Sequence, residues 1–232
     1  MKVNNLILII LAAVFLLPGC AYEGFEVKEF EYTAAYFAYD QIDRTIVLGE
    51  FSTIGVGAML GGKMQNETRE WASYELDTSL LKPGQIELPS EYYTITDADG
   101  NSDEMFYYPQ GKYQGFVYVH IDEAAFANDS EAVTGNYALG FRLLDTSLDS
   151  VLAENDTTVI TFKYAHPYFG NYYHYGRSIG YDGDGNPVDT FTYDHQLAWN
   201  LTTVSKDTLL TNGLGPFFDE EQEKMKLSVD GS

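Results

Sequence analysis

The chain has 232 residues, 45% hydrophobic and 15% aromatic, with 19 Tyr and 14 Phe against 2 Trp. That is long and apolar enough to bury a core, which argues against wholesale disorder. Thirteen basic residues against 35 acidic ones give a net charge of −22, which excludes nucleic acid as a partner, because affinity for phosphate backbones comes from Lys and Arg.

A single cysteine, Cys20, makes an intrachain disulfide impossible. The four histidines, His120, His166, His174 and His195, lack the close spacing of a zinc site, so no metal and no cofactor is expected from this residue set.

In chain order, Lys2 precedes an apolar run of twelve from Leu6 to Leu17. A spanning helix needs about 20 apolar residues, so the run fits a signal-peptide core over residues 1–19. It ends in Leu17-Pro18-Gly19-Cys20, which resembles the bacterial lipobox, with proline at its second position as a departure from the commonest pattern. The resemblance implies lipidation of Cys20 and an outer-membrane anchor. Residues 20–30 then form an acidic tether, with Glu23, Glu26 and Glu29, followed by Glu31. These acids resemble the surface-export signal of Bacteroidota lipoproteins; a merely solvated tether is the alternative.

Beyond residue 30 the signals are those of strands. Thr45 to Leu48 is β-branched and apolar. Ala72, Tyr74 and Leu76 alternate with Ser73 and Glu75, and Val117, Val119 and Ile121 alternate with Phe116, Tyr118 and His120. Tyr137, Leu139, Phe141 and Leu143 make another period-2 set, and Thr157 to Tyr164 a further one. Turn residues separate them, as in Lys82-Pro83-Gly84, Asp99-Gly100-Asn101, Pro109-Gln110-Gly111 and Thr134-Gly135-Asn136. Helical periodicity is confined to one turn over Asp122 to Ala127. The expected class is all-β, an immunoglobulin-like β-sandwich over residues 31–167. Pro167 breaks the strand pattern, and a second β piece of three or four strands follows over residues 168–232. That piece holds Phe191 to Tyr193, Leu197 to Val204 and Met225 to Val229, and it reads as the start of a truncated domain.

Several stretches carry a family resemblance when taken in order. They are Arg44-Thr45-Ile46-Val47-Leu48-Gly49-Glu50, Ala58-Met59-Leu60-Gly61-Gly62, Leu76-Asp77-Thr78-Ser79-Leu80-Leu81 and Ser90-Glu91-Tyr92-Tyr93-Thr94, then Pro109-Gln110-Gly111-Lys112 and His166-Pro167-Tyr168-Phe169-Gly170-Asn171-Tyr172. Over residues 30 to 175 the chain resembles an N-terminal immunoglobulin-like domain of unknown function in Bacteroidota surface lipoproteins. Those proteins are similar to the glycan-binding lipoproteins of starch-utilisation type in polysaccharide-utilisation systems. The same domain precedes the catalytic barrel of some endo-β-N-acetylglucosaminidases. The resemblance implies a polysaccharide or oligosaccharide ligand, the outer membrane as support and an outer-membrane glycan transporter as partner. It carries over no catalytic or ligand residue.

Catalytic motifs are absent. The strand motif of barrel endoglycosidases, the Gly-x-Ser-x-Gly elbow and the P-loop do not occur, and no enzyme is expected. Asp97-Ala98-Asp99-Gly100-Asn101 and Asp182-Gly183-Asp184-Gly185-Asn186 imitate calcium loops, but both lack the sixth-position Gly and twelfth-position Glu and read better as hairpin turns. Sugar binding would rest on aromatic faces stacked on pyranose CH groups. The candidates are Trp71, the cluster Tyr172, Tyr173 and Tyr175 at the domain boundary, and Trp199, which places recognition mostly in the C-terminal part. The same aromatics would equally fill a core or an interdomain seam. An accessory domain of an endoglycosidase and an adhesive fimbrial-type lipoprotein are the alternative roles.

Overall fold

The computed structural model describes residues 30, 32–211 and 225–229; at 174, 191 and 193–199 it describes the backbone only. The signal segment, Cys20 and the acidic tether lie outside these residues.

Alternation builds the two layers. One sheet has five strands in the order β10 (Ser150–Val151), β1 (Ala34–Tyr36), β3 (Thr53–Gly61), β8 (Gln114–Ile121) and β6 (Tyr93–Asp97). The other places β2 (Gln41–Val47), β11 (Thr157–Ala165), β9 (Tyr137–Thr146), β4 (Glu70–Leu76) and β7 (Met105–Tyr108) in that order, with β5 (Ile86–Glu87) pairing β9 in parallel. Successive side chains of a strand point to opposite faces. The core is therefore filled by Ile54, Val56, Ala58 and Leu60 of β3 and Val117, Val119 and Ile121 of β8. Tyr74, Phe106, Leu139, Phe141, Ile160 and Phe162 face them from the second sheet.

The order β1-β3-β8-β6 against β11-β9-β4-β7 is the A-B-E-D and G-F-C arrangement of an immunoglobulin sandwich. The parallel pairing of β2 with β11, from Gln41↔Val159 to Val47↔Ala165, brings the start of the sandwich onto its last strand.

The crossover from β8 to β9 is fixed by one carboxylate. The expected single turn is present as α1 (Glu123–Ala127), N-capped by Asp122, whose Oδ1 accepts from Ala125 N at 3.1 Å. Phe126 of α1 is fully buried in the core. Three residues later Asp129 accepts from Tyr137 Oη at 2.5 Å and from Tyr92 Oη at 3.1 Å. The Tyr137 bond is the main reason the Asp129 carboxyl sits below the ordinary carboxylate range. This is a tyrosine corner in which a side chain takes the place of the usual backbone acceptor.

The sandwich ends at Ala165, and His166-Pro167-Tyr168-Phe169 makes the turn out of it, with Phe169 N donating to His166 O at 2.9 Å. His166 is buried, and that burial lowers its pKa and keeps the imidazole neutral. Its Nδ1 accepts from Tyr168 N at 3.0 Å. A four-stranded antiparallel sheet follows, β12 (Gly170–Tyr181), β13 (Pro187–Ser205), β14 (Thr208–Thr211) and β15 (Met225–Ser228). It meets the sandwich where Thr203 Oγ1 accepts from His166 N at 2.9 Å.

Candidate functional site

The outer face of the five-stranded sheet has an unusual composition. Gly55 and Gly57 occupy the outward positions of β3 and stand directly opposite Tyr118 and Phe116 of β8. A Cβ added at Gly57 would lie 2.9 Å from Phe116 Cε1, and one at Gly55 would lie 3.6 Å from both rings. The glycines therefore form a bed over which the two aromatics lean, which satisfies ring and bare backbone together. Phe116 and Tyr118 are stacked, with centroids 6.3 Å apart and planes at 26°, and Phe116 remains 38% exposed.

A second close approach turns this face into a groove. Gly115 of β8 passes the backbone of β7 so tightly that a Cβ there would be 2.7 Å from Tyr107 O. The edge of one sheet thus crosses the other, and a cavity of about 570 Å³ opens between them, lined by Met59, Tyr107, Tyr113, Gln114, Phe116 and Tyr118 among others.

Its wall is the turn Pro109-Gln110-Gly111-Lys112, anchored from behind by Asn66, which is 3% exposed. Asn66 Nδ2 donates to Lys112 O at 2.9 Å, Pro109 O at 3.0 Å and Tyr108 O at 3.4 Å. Gly111, at φ +76°, returns a bond from its N to Asn66 O at 2.7 Å. The Tyr107 ring is held by the Arg69 guanidinium 3.9 Å from its centroid, and its hydroxyl donates to Asp103 Oδ2 at 2.6 Å.

Beside the aromatics runs a polar row on the same face. His120 bridges two hydroxyls, with Nδ1 3.1 Å from Thr53 Oγ1 and Nε2 3.0 Å from Thr96 Oγ1. Stacked apolar faces edged by amide, hydroxyl and imidazole groups can hold a ring that is apolar on its faces and hydroxylated at its rim. Among the described residues no carboxylate lines the groove, so it holds no carboxylate pair of the kind glycoside hydrolysis uses.

The residues singled out from sequence fall in two places. Trp71 of β4 is paired with Tyr107 of β7 and is half-buried on the same outward face, next to the groove wall. Tyr172, Tyr173 and Tyr175 lie on β12, exposed by 39%, 72% and 73%. Tyr172 donates its hydroxyl to Tyr168 O at 3.0 Å, and in the β12–β13 ladder it is paired with Trp199. The ladder thus sets Tyr172 beside Trp199, while Tyr173 follows on the opposite face of β12 and Trp71 stands apart on the sandwich.

Sequence reading missed Tyr107, Tyr113, Phe116 and Tyr118. The signal was the outward phase of β8, which carries Phe116 and Tyr118 where a half-solvated strand ordinarily carries polar residues.

The two aspartate-rich segments are turns of one design, but only the one at Asp182 closes a hairpin, between β12 and β13. The expected hairpin at Asp97 is instead the turn that takes the chain from β6 in one sheet to β7 in the other. Asp97 Oδ1 accepts from Asp99 N at 2.8 Å and Asn101 N at 2.7 Å; Asp182 Oδ1 accepts from Asp184 N at 3.0 Å and Asn186 N at 2.8 Å. Gly100 and Gly185 supply the positive φ at +88° and +82°. Among the described residues no group of three or more His, Cys, Asp or Glu is placed to hold a metal.

Fold and groove together define an immunoglobulin-type β-sandwich with an aromatic groove on one outer face, followed by a four-stranded sheet built on a long β-hairpin. No family model matches the chain, and no curated protein matches it in sequence. A solved Bacteroides ovatus protein of unknown function superimposes with a TM-score of 0.63 at 20% identity, over 85% of this chain and 73% of its own. An auxiliary nutrient binding protein from Bacteroides thetaiotaomicron gives a TM-score of 0.46 at 14% identity, over 84% of this chain and 68% of its own. Similarity at this level establishes the fold alone.

Proposed function

We propose that this chain is a lipid-anchored glycan-binding protein of a bacterial cell surface, without a catalytic step of its own. The observation that carries the reading is the groove at Phe116 and Tyr118, two stacked rings on a glycine bed beside a row of hydrogen-bonding groups. Its lining suits neutral sugar rings, which stack on aromatics through their CH faces and present hydroxyls at the edge. Tyr172, Tyr173 and Tyr175 of β12 and Trp199 of β13 are further candidate contacts for the same ligand. The division into a sandwich over residues 31–167 and a second β domain from residue 168 belongs to this proposal. So do acylation at Cys20, the outer membrane as support and a glycan transporter as partner.

The test is affinity electrophoresis of the soluble chain in gels of neutral polysaccharides, followed by titration with the oligosaccharide of whichever polysaccharide retards it. Phe116→Ala should weaken binding by about tenfold, the worth of one stacked ring, with little loss of stability. Gly57→Ala, which pushes on the same ring, should weaken it in the same direction. Retardation by no glycan, or binding unchanged in Phe116→Ala, would remove the groove from this role.

A further inference from the structure

On the outer face of the six-stranded sheet, away from the aromatic groove, lies a second cavity of about 450 Å³. Arg44 of β2, Lys163 of β11 and Lys82 of the turn before β5 all line it. That is three of only 13 basic residues in a chain that carries 35 acidic ones. Among the described residues none of the three forms a salt bridge, whereas Lys63, Arg69 and Arg142 all do.

The single acid in the lining, Asp43, is hydrogen-bonded to two neutral residues of the same lining. It accepts from Thr161 Oγ1 at 2.6 Å and from Gln41 Nε2 at 3.0 Å. Those two bonds, the Thr161 one first, hold its pKa below the ordinary carboxylate value, helped by the charges of Lys163 and Lys82. Gln41 also accepts from Lys82 Nζ at 2.7 Å through Oε1. A neutral amide therefore stands between lysine and carboxylate, steering the ammonium without neutralising it. The nearby Glu131 is likewise occupied, accepting from Thr134 Oγ1 at 2.9 Å and Asn136 Nδ2 at 2.8 Å.

The walls are fixed. Ile86 N donates to Asn136 O at 2.9 Å, tying the turn at Gly84 to the turn at Gly135. Arg44, Lys82 and Lys163 line the cavity with one carboxylate, Asp43, which keeps its charge, so three positive charges against one negative leave the lining net positive in a protein of opposite overall sign. Exposed charges more than about 8 Å away are damped at physiological salt.

We infer that this cavity binds an oxyanion, the carboxylate or sulfate ester of an acidic saccharide, through Arg44, Lys82 and Lys163. Lys82 and Lys163 supply point charges at the oxyanion, and Arg44, in register with core-facing Phe162 and so in the opposite phase of β2 from Asp43, adds positive charge from the edge strand. Gln85 and Asn136 on the rim lie within the same lining to meet hydroxyls. That the oxyanion is carried on a sugar rests on the glycan reading above; capture of the oxyanion does not.

The test is titration of ¹⁵N-labelled protein with glucuronate, inorganic sulfate and glucose, followed by amide shifts in residues 82–85 and 134–136. Glucuronate should shift these amides more tightly than sulfate, glucose should not shift them, and added salt should weaken the anions. Lys82→Gln and Lys163→Gln, both at solvent-facing positions, should each weaken glucuronate by roughly tenfold while leaving neutral-oligosaccharide binding at Phe116 intact. Sulfate binding without glucuronate would overturn the saccharide. Anion shifts that survive both lysine substitutions, or no anion shifts, would overturn the site, and neither result touches the aromatic groove.

Discussion

The sandwich and the sheet that follows it are built from the same aromatic-rich composition and end up differently. In the sandwich, alternate residues of β3, β8, β9 and β11 meet an opposing layer, and Phe106, Phe126, Phe141 and Phe162 are fully buried. In β12 and β13 the ladder is long, running from Gly170↔Leu201 to Tyr181↔Pro187, yet Tyr173, Tyr175, Tyr181 and Val188 remain exposed. Strand formation needs hydrogen bonds and suitable side chains, but burial needs a second layer. The groove is an intermediate case. Phe116 and Tyr118 have no opposing sheet, and glycine backbone supports their rings from beneath.

The strongest way to test that contrast is truncation. Phe141→Ala in the sandwich should cost about 3–5 kcal/mol by urea unfolding, whereas Tyr173→Ala on β12 should stay within about 0.5 kcal/mol. Equal losses would break the comparison. Asn66→Ala comes next, because it strands the carbonyls of Tyr108, Pro109 and Lys112 behind the groove wall. It should cost about 2 kcal/mol and also weaken sugar binding, which would show that the sandwich stiffens the groove.

The smallest effect concerns Glu70 at the start of β4, which accepts from Lys63 Nζ, Ser147 Oγ and Thr68 Oγ1. Those bonds, Lys63 first, lower its pKa from 4.5 to about 2. Since the folded value lies below the unfolded one, its contribution is complete above pH 4.5 and fades as pH falls toward 2. On the order of 1 kcal/mol should disappear over that window in acid titrations of stability, and Glu70→Gln should flatten the step.

Much of the sandwich was legible because β4, β8, β9 and β11 alternate in plain view, and the turns at Gly84, Gly100, Gly111 and Gly135 carry the φ values their residues announced. The long strand β3 was not read. Its outward positions are Thr53, Gly55, Gly57, Met59 and Gly61, so beyond Thr53 the polar half of the alternation is missing, and only the partner strand shows why. Strands β1, β6, β7, β10 and β14 span two to five residues each, too short for periodicity to register. The groove was illegible for a related reason. It joins Tyr107 of one sheet to Phe116 of the other, and their meeting depends on Gly115 letting two backbones touch.

The parallel pairing of β2 with β11 also bears on how the molecule carries load. Tension applied to the chain ahead of Gln41 and beyond Ala165 would run along two neighbouring strands in opposite senses. The seven register pairs from Gln41↔Val159 to Val47↔Ala165 would then be sheared together. They would not be peeled open one after another, as the β12–β13 hairpin would be if drawn apart at its open end. A domain stretched between its two ends would fail late and all at once, and this strand pair would be its mechanical clamp.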